Sequence, residues 1–127
     1  IHETNPELQE FIDRNSDNEL IKEKMDKPLR SAFEYDAVRF SYKVFCMLDA
    51  AEKCNTDVLI FIDADTVTYK KIPIEWLEHI APADKFTTFL GRPKKGFSET
   101  GFITFNLALP ESEKFFWRWR YFIQFKI

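Results

Sequence analysis

The chain has 127 residues, 45% of them hydrophobic and 17% aromatic, and it carries a formal net charge of −3. That length holds one domain or part of one, and the composition excludes a disordered polar segment. Without a basic excess, nucleic acid is not the expected main partner, and any anion site has to be local.

Asn5-Pro6-Glu7 opens the first predicted helix, with Asn5 as cap, Pro6 in the first helical position, and Leu8, Phe11 and Ile12 on one face. Residues 13–19 form a polar break, and Leu20 to Met25 supply another turn or two before Lys27-Pro28. Asp36 is the expected cap of a long helix over 37–54, in which Val38, Tyr42, Phe45, Leu48 and Ala51 recur at helical spacing and should face a sheet. Arg39 and Lys43, at i and i+4, share an adjoining face. Cations so placed repel mildly unless an anion lies between them, which makes the pair a candidate clamp for a diphosphate; solvated charges partnered by Glu34 or Asp36 are the alternative. Cys46 and Cys54 lie on the same predicted helix, about two turns or roughly 12 Å apart, too far to bridge. The two cysteines form no CxxC or Cys/His cluster, and Ile1-His2-Glu3-Thr4 is not a signal peptide, so a reducing, cytoplasmic setting is expected. No apolar run approaches the ~18 residues that span a bilayer.

Val58-Leu59-Ile60-Phe61-Ile62 is the expected central buried strand, and Asp63-Ala64-Asp65-Thr66 follows it abruptly. Acids at i and i+2 after a strand can reach one point, an arrangement that is costly unless a cation lies between them. Mg²⁺ or Mn²⁺ commonly takes one or two protein carboxylates and leaves other positions to water and phosphate; a turn or helix cap is the plainer alternative. A helix feeding such a strand is half of a βαβ unit, and the fold class is α/β. Residues 66–73 are read as extended, and Ile74 to Ile80 as a short helix stopped by Pro82, with His79 near the negative end of its dipole. Phe86 to Leu90 is a second strand, followed by the basic loop Gly91-Arg92-Pro93-Lys94-Lys95-Gly96, which can approach an anion. Phe102 to Leu107 is a third, with Glu99 at its mouth as a candidate base or acceptor-binding group, or a hydrogen-bonded turn residue. Pro110-Glu111-Ser112-Glu113 opens a final helix whose buried stripe is Phe115, Phe116, Trp119, Phe122 and Ile123, beside a second ridge of Trp117 and Tyr121.

Arg39-Phe40-Ser41-x-Lys43-Val44, Ile60-Phe61-Ile62-Asp63-Ala64-Asp65-Thr66-Val67, Ile72-Pro73, Phe89-Leu90-Gly91-Arg92 and Ser98-Glu99-Thr100-Gly101-Phe102-Ile103-x-Phe105-Asn106-Leu107 follow one another as in GT-A-type DxD glycosyltransferases, and the chain resembles that family over about residues 36–125. The resemblance implies an incomplete GT-A, Rossmann-like nucleotide-diphospho-sugar transferase fold, a mixed sheet with flanking helices. It implies a nucleoside-diphosphate-sugar donor, Mn²⁺ or Mg²⁺ held by Asp65 and Asp63, and Arg39, Lys43, Asp63 and Arg92 near the donor. Glu99 is the candidate catalytic group, and a carbohydrate or glycoconjugate the acceptor, as in polysaccharide biosynthesis. By this reading residues 1–127 are one α/β domain from the middle of a longer enzyme, with a nucleotide-binding strand expected before it and a further segment after it.

Two other readings stand beside it. Asp63-x-Asp65-x-Val67 after an apolar strand also fits the first motif of haloacid-dehalogenase-type phosphatases, in which the first Asp attacks phosphorus. That chemistry needs a later acidic pair, and Asp84 is the one aspartate beyond Asp65. The remaining reading is a non-catalytic binding or packing module.

Overall fold

The computed structural model describes residues 5–16, 37–92 and 99–125. Among them lie α1 (Pro6–Asn15), α2 (Ala37–Lys53), β1 (Val58–Ile62), α3 (Ile74–Ile80), β2 (Thr87–Leu90), β3 (Glu99–Asn106) and α4 (Pro110–Phe125). The expected turn at Leu20 to Met25, the Asp36 cap and the loop residues Pro93 to Gly96 fall outside the described residues. The chain divides into two compact units, one of Ile1–Asp49 with Trp119–Ile127 and one of Ala50–Arg118. No helix among the described residues is long and apolar enough to cross a membrane.

In the first unit the Asn5 side chain accepts from the Leu8 amide at 3.0 Å, capping α1 as its sequence implies. The helix continues through Asn15, three residues into the expected polar break, because the buried Asn15 amide donates to the Phe11 carbonyl at 2.8 Å. Leu8 and Phe11 are buried, and Phe11 meets Phe45 of α2 edge-on with ring centroids 5.9 Å apart. The buried stripe of α2 is Ser41, Phe45, Met47 and Leu48, whereas Val38, Tyr42 and Ala51 are half-buried. Ser41 is tolerated inside because its hydroxyl donates to the Val38 carbonyl at 2.7 Å. Arg14 donates to the Gln124 and Ile123 carbonyls at 2.6 and 3.1 Å, and a cation there complements the negative end of α4. Arg120 Nε lies 3.3 Å from a Glu7 carboxylate oxygen, a partly exposed pair worth little to stability.

In the second unit β3 is the middle strand, with order β1-β3-β2 and antiparallel pairing on both sides. The α/β class is therefore seen, but the described sheet is antiparallel throughout rather than mixed. β1 has one described neighbour and is half-buried, with Ile62 41% exposed, so its apolar run is not enclosed on both faces as expected. Thr88 donates to the Ile80 carbonyl, which leaves Thr104 to donate across the β2–β3 pair at 2.6 Å. Phe86, Phe105, Phe115 and Phe116 form the aromatic cluster beneath the sheet, with neighbouring centroids 5.1 to 6.5 Å apart. The α4 stripe is narrower than its spacing implies. Ile123 is buried and Phe116 and Trp119 are half-buried, but Phe115 and Phe122 are exposed along with Trp117 and Tyr121.

Candidate functional site

β1 ends at Ile62, and the next four residues close a turn in which the Thr66 amide donates to the Asp63 carbonyl at 2.9 Å. The Asp63 amide is itself spent on the Gly101 carbonyl of β3 at 2.9 Å, one step beyond the Ile62–Phe102 pair. Both backbone bonds fix the turn. Asp63 is half-buried and Asp65 is exposed.

The antiparallel register brings further predicted residues to this end of the sheet. Since β1 and β2 both run against β3, the end of β1, the end of β2 and the beginning of β3 share one edge. Glu99 opens β3 opposite Leu90, and Arg92 follows two residues after β2, exposed. Glu99 thus belongs to a strand and is not the turn residue of the alternative reading, because β3 begins three residues earlier than its apolar pattern. The pairing skips between Phe89 and Leu90, an irregularity of the kind that re-aims strand ends near sites. Asp63, Asp65, Glu99 and Arg92 therefore lie at one edge of the second unit. Arg39, exposed, and Lys43, half-buried, lie on α2 in the first unit.

Two carboxylates on a turn are a donor set for a hard divalent ion that keeps water or phosphate in its other positions. Among the described residues no group of three or more His, Cys, Asp or Glu converges, so Asp63 and Asp65 alone would hold Mn²⁺ or Mg²⁺ weakly, and phosphate oxygens would have to complete the shell. Gly91, one residue before Arg92, has open space where a Cβ would stand, and nothing lies within 4 Å of it. His79 is exposed in the last turn of α3, as its place in the sequence implies.

The segment following the acids is what the sequence reading misses. Val67 to Pro73 with Trp76 line an open groove of about 530 Å³, and Tyr69 is 90% exposed. Periodicity gives no signal for it, since Val67 to Pro73 belong to no strand or helix and only Trp76 lies on α3. No family model, curated protein or solved structure matches the chain.

Proposed function

We propose that the chain carries the donor site of a metal-dependent glycosyltransferase, moving a sugar from a nucleoside diphosphate to a carbohydrate or glycoconjugate acceptor. The observation that carries the reading is the convergence of the Asp63–Asp65 turn, Glu99 and Arg92 at one edge of the second unit, built by the β1–β3 and β3–β2 registers. In the transfer the bond between the anomeric carbon and the diphosphate oxygen breaks and a bond to an acceptor hydroxyl oxygen forms. The electron pair leaves with the nucleoside diphosphate, and the acceptor proton passes to a base, for which Glu99 is the candidate. Asp65 and Asp63 are the residues that would hold Mn²⁺ or Mg²⁺, which when bound offsets the negative charge growing on the diphosphate. Arg92 supplies a cation for the same charge.

Calorimetric titration of UDP, GDP and CDP with Mn²⁺ tests the reading. One nucleotide binds only when Mn²⁺ is present, and the exposed Asp65→Asn loses that binding while its melting temperature stays within about 2 to 4 °C of the parent. A folded chain that binds none of the three leaves Asp63-Ala64-Asp65-Thr66 as a structural turn, for which the Thr66–Asp63 backbone bond is sufficient reason.

A further inference from the structure

The groove beside the acids joins three features that core packing does not require. Trp76 meets Phe102 edge-on, centroids 6.1 Å apart and planes at 63°, so one side of the indole is steadied by β3 while the residue stays 41% exposed. Tyr69 and Val67 are exposed at 90% and 79%, a large ring and methyls in water with nothing among the described residues to cover them. Between them stand Lys70 and Lys71, both exposed and neither with an ion-pair or hydrogen-bond partner among the described residues.

The groove is also placed by the same backbone as the acids. Asp63 is bonded to Gly101, the next residue Phe102 carries Trp76, and the lining segment starts two residues after Asp65. The open groove of about 530 Å³ has the ~300–1,000 Å³ size of small-molecule sites and room for one or two sugar rings. A pyranose presents a face of C–H groups, whose partial positive charge suits the negative face of an indole or phenol ring. An unpartnered lysine pair adds a demand for an anion.

We propose that this groove binds the acceptor, and that the acceptor is an anionic glycan, a pyranose stacked on Trp76 and Tyr69 with a carboxylate or phosphate at Lys70 and Lys71. The word acceptor rests on the transferase reading; the glycan site itself does not. A bilayer fits the patch less well. Lipid-binding clusters commonly gather about four to eight cations, whereas the groove presents the two lysines Lys70 and Lys71, enough for one carboxylate or phosphate and too few for a charged surface.

The test is a titration of the purified chain without nucleotide or metal, read by tryptophan fluorescence and by the indole N–H resonances. The probes are trigalacturonate for the carboxylate source, mannose 6-phosphate for the phosphate source, and cellotriose as neutral control. At least one anionic probe binds tenfold or more tightly than cellotriose. Tyr69→Ala, at a position too exposed to affect folding, weakens it by tenfold or more, as does Trp76→Ala. The double change Lys70→Gln with Lys71→Gln removes the preference for the anionic probe. Equal binding of neutral and anionic probes, or binding untouched by Tyr69→Ala, overturns the proposal. So does the absence of glycan binding together with partition onto phosphatidylserine vesicles, or a concentration-dependent dimer that quenches Trp76. Manganese-dependent nucleotide binding without glycan binding sinks this site and leaves the transferase reading standing; glycan binding without nucleotide binding does the reverse.

Discussion

Gly91 shows how local geometry separates a residue's two possible uses. Its backbone is not in the left-handed region and an added Cβ would meet nothing within 4 Å, so the fold has no need of glycine there. Gly91→Ala should therefore raise stability by about 0.4–1 kcal/mol through the lost freedom of the unfolded chain, read as a higher urea midpoint at unchanged slope. If the same change weakens nucleotide binding, the open space beside Arg92 is where a ligand approaches the backbone. Cys54 gives a second prediction at this scale. The Thr56 hydroxyl, 3.1 Å from its sulfur, and then the Thr56 backbone hold the thiol below its ordinary pKa. A depressed pKa favours folding above the unfolded value, and that advantage is lost as pH falls through the folded one. It also means more thiolate at mildly alkaline pH. In a Cys46→Ala background the pH midpoint for alkylation of Cys54 should rise when Thr56 becomes Val; an unmoved midpoint would remove the hydroxyl as the cause.

At the scale of elements, the helices of the first unit depend on a few large side chains. Phe45 is 1% exposed and packs on Phe11, so Phe45→Ala should cost about 3–5 kcal/mol, measured by denaturant unfolding. In the second unit the sheet is pinned by a polar contact as well as by rings. Thr104 is 2% exposed and bonds to Thr88, and Thr104→Val should cost about 0.5–1.5 kcal/mol while leaving the β2–β3 register intact by amide exchange. A larger loss would mean that the threonine pair sets the register, which in turn places Glu99 and Arg92.

For the whole molecule, charge is the property that acts at long range. A net charge of −3 repels a polyanion, so the chain should not shift a short DNA duplex at physiological salt, where non-specific binding needs several phosphate contacts. The same balance leaves the proposed anion sites to local cations, Arg92 at the sheet edge and Lys70 with Lys71 in the groove. Binding there should weaken with added salt less steeply than a duplex-binding protein does, because few charges take part.

Much of the architecture was legible along the chain because local signals agree with the fold. Asn5-Pro6 capped a helix, five apolar residues from Val58 made a strand of the expected bounds, and Ile74 to Ile80 formed the expected helix. The two acids could be placed after β1 for the same reason, since an apolar run ending in Asp-x-Asp marks its own boundary. Strand pairing was not legible, because it joins residues some forty positions apart in β1 and β3, and only the fold decided that both neighbours of β3 run against it. Burial was decided there too. Phe115 and Phe122 have the spacing of a core stripe yet are exposed, and Ser41 is tolerated in the core because the Val38 carbonyl, one turn back, accepts a hydrogen bond from its hydroxyl. Composition and periodicity determined which elements form; the tertiary structure determined that Asp63, Glu99 and Arg92 share an edge and that Trp76 meets Phe102 of β3, since proximity across a sheet is set by register and not by sequence spacing.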